Sequence, residues 1–181
     1  METSAEVQQQ EVVPVTDPFS QDVRDITDDD SYVNRFARLD GREPPVYVGF
    51  NWWAFVFGPL WFVYRKLYIS ALVVWLLGFV VPFIALVIIA IVDQTFSESM
   101  VTPASYLVLF GVLRPVVGAV ANGLYLRKVR NIIASADSVS LVGSQRSDFL
   151  KKRGGMNEGA AIAVMIISLV ISFASRALNM V

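Results

Sequence analysis

A chain of 181 residues that is 55% hydrophobic and only 17% charged has the composition of a membrane protein, not of a globular domain. It holds no Cys and no His, which excludes disulfides, thiol nucleophiles, Cys/His zinc sites and imidazole acid–base chemistry. Its net charge of −1 hides a split: residues 1–49 carry 11 acids and 4 bases, residues 50–181 carry 5 acids and 11 bases.

Residues 1–27 are polar, acidic and Gln-rich with no apolar period, so they are expected to form a disordered tail. No cleavable signal peptide is expected. Residues 28–49 are expected to hold a short amphipathic cytoplasmic helix and a Pro-rich linker. Asp28, Asp29 and Asp30 suit a helix start, where the dipole favours acids. They lack the ligand spacing and glycine of a calcium loop, so no metal site is expected. Tyr32, Val33, Phe36 and Leu39 then recur at helical spacing, Gly41 stops the helix, and Pro44-Pro45 forces extended chain. This helix lies on the membrane or docks on the cytoplasmic end of the bundle; a partner-binding helix is the sharper alternative.

Residues 50–66 are aromatic. Phe50–Tyr64 is apolar but shorter than the ~20 residues a crossing needs. Gly58-Pro59 cuts it, which predicts a helix near Asn51–Phe57, a break, and a second helix from Pro59. Ten of the chain's 22 aromatics lie between Tyr47 and Tyr68, and Trp and Tyr prefer the headgroup level. The segment reads as interfacial or re-entrant, with a complete extra span as the alternative. Trp52, Trp53, Trp61 and Tyr64, followed by Arg65 and Lys66, are its expected interface anchors.

Three spans follow. Within residues 67–92, Ile69–Val92 carries no charge and reaches roughly 36 Å as a helix, against a hydrocarbon core of ~30 Å. The loop 93–104 has two acids and no base. Thr102-Pro103 is a helix start for a second span over residues 104–126, ending at Arg127, Lys128 and Arg130. Residues 127–158 read as a basic cytoplasmic loop. Helix continues there to about Ala136, and a short helix runs from Ser147 to Arg153 before Gly154-Gly155. Asn157 caps a third span, residues 159–178. The positive-inside rule puts the N-terminus in the cytoplasm and the C-terminus outside.

Arg114 falls near the middle of the second span, where an unpaired cation costs ~3 kcal/mol or more, so it must face protein or water. Gly111 and Gly118 share its face and suit close packing. Gly78…Pro82 and Gly111…Pro115 repeat a Gly-x-x-x-Pro pattern, and each proline frees the carbonyl four residues earlier. Arg114 is then either locked to freed carbonyls or part of a gate, ion path or headgroup site between two broken helices. Ala119/Gly123 and Ser168/Ser172 mark helix contacts within the chain or between copies. Arg176 is expected near Asp93 or Glu98.

No phosphate-cradling loop, nucleophile-with-base set or intramembrane carboxylate pair is visible, so no catalytic, cofactor-binding or metal residue is assigned and no enzyme is expected. The basic clusters are expected to meet a bilayer with anionic headgroups, not nucleic acid. A protein partner for the acidic N-terminal tail and a homo-oligomer are the further expectations.

The block FNWWAFVFGPLWFVYRKLY, residues 121–132 (ANGLYLRKVRNI) and Gly154-Gly155 together resemble a family of small bacterial inner-membrane proteins catalogued only as a domain of unknown function. The shared blocks are FNW…FGPLW…YRK and AN-x-x-Y-x-R-x-V, with a SYVNRFARLDG-like helix before them. The resemblance spans roughly Ser31 to Val181 and implies a membrane fold, a bacterial origin and no activity. The expected fold is an all-α membrane protein: three transmembrane helices preceded by an interfacial or re-entrant aromatic helix and a short amphipathic cytoplasmic helix. The expected function is a non-enzymatic structural or regulatory subunit. The alternative is a small oligomeric transporter or channel using Arg114 and the two helix breaks.

Overall fold

A computed structural model describes residues 17–39, 48–92 and 109–178, and within them every regular element is helical. Helix α1 spans Pro18–Thr27 and α2 spans Asp30–Ala37. The Asp17 carboxylate accepts the Ser20 N–H at 2.9 Å to start α1, with Pro18 in the first turn. The aspartate run then divides its labour. Asp28 ends α1 in the left-handed conformation (φ 50°), Asp29 caps α2 by accepting the Ser31 N–H at 2.9 Å, and Asp30 sits in the first turn.

The existence of α1 corrects the expectation of a disordered tail through residue 27. Its apolar stripe is short, but Val23 and Ile26 are both fully buried. Partners far along the chain supply that burial, and no local period could reveal it. Residues 1–16 and the Gly41 and Pro44-Pro45 signals lie outside the described residues.

Helices α3 (Trp52–Phe57) and α4 (Pro59–Tyr64) are separated at Gly58, whose φ of 53° suits glycine. Helix α5 spans Tyr68–Val92 with Pro82 inside it. The expected break at Pro82 does not occur: one missing bond is lost from a helix of 25 residues, and the turns on both sides persist. A Cβ added at Gly78 would meet nothing within 4 Å, so Gly78 marks no close contact.

The second Gly-x-x-x-Pro behaves differently. Residues Leu109–Leu113 form a π turn that passes into α6, Arg114–Ser138, with Pro115 in its first turn. The wider π turn ends where the proline lacks its N–H. Helix α6 runs past residue 126 to Ser138, close to the expected helical continuation to about Ala136. The loop 93–104 and the start of the second expected span lie outside the described residues. Helix α7 spans Gly143–Arg153, earlier than the Ser147 start expected, and α8 spans Glu158–Leu178 with the Asn157 side chain accepting the Ala160 N–H at 3.0 Å.

One face of α6 is the spine of the core. Val117, Ala121, Tyr125, Leu126, Val129, Ile132 and Ala136 are buried along it at three- and four-residue steps. Helices α1, α3 and α7 pack on α6, α1 also packs on α2 and α7, and α4 packs on α5 and α8. Glycine permits the closest of these approaches. A Cβ at Gly154 would lie 2.7–2.8 Å from the side chain and backbone of Ile26, and the Gly155 N–H donates to the Ile26 carbonyl at 2.6 Å.

Among the described residues one helical stretch, within 143–177, is long and apolar enough to cross a membrane, and none of its most apolar part is buried. The apolar stretch Tyr68–Ile84 of α5 is shorter. Large side chains stand exposed on both, including Ile69, Phe79 and Phe83 on α5 and Ile167, Val170 and Phe173 on α8.

Candidate functional site

The polar groups of the chain converge where α2, the 48–51 segment, α3, α4 and α6 meet. Asn51 and Asn122 are buried there and bond directly, Asn51 Nδ2 donating to Asn122 Oδ1 at 2.7 Å. Asn51 Oδ1 also accepts the Ala54 N–H at 2.8 Å, which caps α3. Asn122 Nδ2 donates to the Gly49 carbonyl at 3.0 Å. The Asn51 N–H reaches the Gly118 carbonyl at 2.8 Å. A Cβ at Gly118 would lie 2.6 Å from Phe50 Cζ, so Gly118 is indeed a close contact, made with the aromatic segment. Every one of these bonds joins segments that are remote in sequence or caps a short helix that would otherwise fray.

Arg65 lies beside this pair and is only 5% exposed. Its Nη1 donates to the Thr27 carbonyl at 3.0 Å and to the Tyr125 hydroxyl at 3.4 Å. Its Nη2 lies 3.6 Å from Asp29 Oδ2. The guanidinium sits 4.8 Å from the Tyr32 ring centre, 5.1 Å from that of Tyr125 and 5.4 Å from that of Tyr64. Ring faces and one carboxylate together replace the water that burial removes. The Tyr32 hydroxyl is pushed up in pKa, chiefly by burial.

Arg65 was expected as an interface anchor and is instead a core residue. Trp61 needs the same correction, being 5% exposed and edge-on to Tyr125. Both were read from their place beside an apolar run, and neither faces outward because α2 and α6 cover them. Tyr64 is half-buried, and its hydroxyl donates to Met156 Sδ. Trp52 and Trp53 are 68% and 67% exposed.

The remaining basic anchors divide. Lys66 Nζ donates to the Gly154 carbonyl at 2.6 Å, at the end of α7. Lys128 Nζ donates to the Arg65 carbonyl at 2.6 Å. Burial, then the nearby Lys66 and Arg65 charges, push the Lys128 ammonium down to about 8. Arg130 donates to the Leu39 carbonyl, and Arg127 is exposed.

Arg114 is held by backbone carbonyls, but not by those the prolines free. Its Nη1 donates to the carbonyls of Val56 at 2.9 Å and Phe55 at 3.2 Å. Helix α3 ends at Gly58, which leaves its last carbonyls available. A Cβ at Gly58 would run into the Arg114 guanidinium. Of the candidate set, the structure brings Arg114 and Gly118 onto the aromatic segment, with Pro115 beside Arg114. Gly111 is exposed, and Gly78 and Pro82 lie on α5. Arg176 is exposed, and its expected neighbours Asp93 and Glu98 lie outside the described residues.

A cavity of about 690 Å³ opens beside Arg65. Asp28, Asp29, Tyr32 and Arg35 line one part of it, and Trp52, Trp53, Trp61 and Tyr64 another. Ala161, Ile162 and Met165 of α8 close the far side. Asn122, Tyr125, Tyr32 and Asp29 were not singled out as site residues from the sequence. The signal was present all the same: Asn51 and Arg65 belong to the FNW…YRK block, Asn122 and Tyr125 to AN-x-x-Y-x-R-x-V, and Tyr32 to the helix before them. The blocks that carried the family resemblance fold onto one place.

The family described as Protein of unknown function (DUF2628) matches residues 23–130. These residues contain the asparagine pair, Arg65 and its tyrosines, whereas α7 and α8 lie beyond them. No curated protein and no solved structure matches the chain.

Proposed function

The chain belongs to the DUF2628 family of proteins of unknown function, and we propose that it is a non-enzymatic, multi-pass inner-membrane protein acting as a structural or regulatory subunit. One observation carries the reading. Large apolar side chains stand exposed along α5 and α8, while the polar ties join α1, α2, the 48–51 segment, α3, α4, α6 and α7. An apolar surface of that extent is a liability in water and a fit in lipid, where helices satisfy their own backbone.

In this reading α5, the second expected span (residues 104–126) and α8 cross the bilayer, and the remainder forms a cytoplasmic platform. Arg127, Lys151, Lys152 and Arg153 are exposed there and meet anionic headgroups. The platform and the acidic residues before it meet a protein partner. Arg114 ties α6 to α3, a holding role that favours the subunit over the transporter.

The absence of cysteine makes the test clean. Membranes carrying the full chain are washed at high pH, and the single variants Ser144→Cys and Asn179→Cys are labelled with an impermeant maleimide. Retention in the pellet is expected, with Ser144→Cys labelled only after permeabilisation and Asn179→Cys labelled in intact cells. Release by the wash overturns membrane integration. Labelling of both sites from the same side overturns the three-span topology.

A further inference from the structure

Several of the residues tied together above, among them Asp29, Tyr32, Asn51 and Arg65, also line the cavity beside Arg65. Its volume of about 690 Å³ lies within the ~300–1,000 Å³ typical of sites for small organic ligands. Three features define what it would hold. Both signs of charge line it, Asp28 and Asp29 with Arg35 and Arg65. The Asp29–Arg65 pair leaves capacity on the aspartate: the charges are 3.6 Å apart and the Asp29 side chain is 38% exposed. Arg65, by contrast, is buried, and its Nε is a buried donor with no hydrogen-bond partner. Third, the lining also includes indole rings and the apolar side chains of Ala161, Ile162 and Met165. The latter belong to the helix long and apolar enough to cross a membrane. The cavity therefore joins a charged rim to a lipid-facing helix.

We propose that this cavity binds one phospholipid with a zwitterionic phosphoethanolamine headgroup, taken from the cytoplasmic leaflet. The phosphate is recognised by Arg65 and Arg35 through charge-assisted hydrogen bonds. The ammonium is recognised by Asp28 and Asp29 and by aromatic faces. The first methylenes lie against Trp61 and Met165. A purely anionic headgroup would leave the two aspartates facing like charge, and a soluble phosphate would leave the apolar walls unused. The proposal rests on the membrane reading of α8 given above.

The test uses the full-length protein, delipidated in mild detergent and offered equal dioleoyl phosphatidylethanolamine and phosphatidylglycerol, with bound lipid counted by native mass spectrometry. One phosphatidylethanolamine per chain is expected, in preference to phosphatidylglycerol. Ala161→Trp fills the apolar side and is expected to abolish it. Arg35→Gln, at an exposed position, is expected to weaken it roughly tenfold, the worth of one charge-assisted hydrogen bond. Circular dichroism of each variant guards against misfolding. Equal retention of the two lipids, or an unchanged count in both variants, overturns the proposal. So does displacement of the lipid by soluble glycerophosphoethanolamine at equal concentration, which would assign the site to a soluble ligand. Protein that resists the high-pH wash yet shows no headgroup preference sinks this inference alone; protein released by the wash sinks the membrane reading first.

Discussion

The platform and the two apolar helices are held by different physics within one chain. In the platform, order comes from polar ties between distant segments: Asn51 to Asn122 across 71 residues, and Arg146 to Asp22 across 124, the latter through two charge-assisted bonds of 2.6 and 2.9 Å. Along α5 and α8 many large side chains are exposed. Composition decides such helices. The platform depends on particular atoms. Substitutions should therefore divide sharply between the two regions.

The sharpest break is Arg65→Met. It strands the Thr27 carbonyl and Asp29 and empties the tyrosine cage. Removing one partner of a buried ion pair typically costs about 3–5 kcal/mol, and the partial exposure of Asp29 puts this case near the lower end. Ile167→Ala, on the exposed face of α8, is expected to change denaturant unfolding of the platform in detergent by less than about 0.5 kcal/mol. Equal costs would abolish the distinction between the regions.

Gly154→Ala comes next, at about 2–3 kcal/mol, because the new Cβ meets backbone atoms of Ile26 that cannot swing away. It should loosen α1 first, read as early loss of amide-exchange protection in residues 18–27 while α6 stays protected. Simultaneous loss in both helices would mean that α1 is no separable layer. Asn51→Ala and Asn122→Ala each leave a buried amide partner unmade, worth about 1–3 kcal/mol apiece. Their double mutant should cost clearly less than the sum, by about 1 kcal/mol. Simple additivity would show that the 2.7 Å bond does not couple α3 to α6.

The sequence was transparent for features written locally. The break at Gly58, the helix starting near Asn51, the Asn157 cap and the apolar runs of α5 and α8 all follow from neighbouring residues. It was opaque wherever the deciding partner lay far away. Helix α1 has too few apolar residues to announce itself, and Ile26 is buried by contact with Gly154. Arg65 has the local look of a charge flanking a span, and its burial depends on Thr27 and Tyr125, 38 and 60 residues distant. Arg114 shows an intermediate case. That carbonyls would hold it follows from the cost of a buried cation; that Phe55 and Val56 supply them depends on where α3 ends.

The smallest expected effect probes the platform's electrostatics. Lys128 is partly buried, bonds the Arg65 carbonyl at 2.6 Å, and sits near Lys66 and Arg65, so its pKa falls from 10.5 to about 8. Between those values the unfolded chain holds the proton and the folded chain does not. The unfolded state then binds more protons, and stability rises as pH rises from about 8 towards 10. Below about pH 8 the ammonium is charged in both states and its penalty is fully present. Neutral lysine still donates to the Arg65 carbonyl, so the bond survives the titration. Tyr32 acts in the opposite sense at higher pH: its raised pKa means that stability falls once the unfolded tyrosine ionises above 10. The informative window is therefore pH 8 to 10. Wild-type protein should show an unfolding midpoint that climbs across it, and Lys128→Gln, which keeps a donor but no charge, should show a flat one. Solvent screening keeps the climb small. Parallel slopes in the two proteins would place Lys128 outside the cationic cluster, and the tie between α6 and the end of α4 would have to be redrawn.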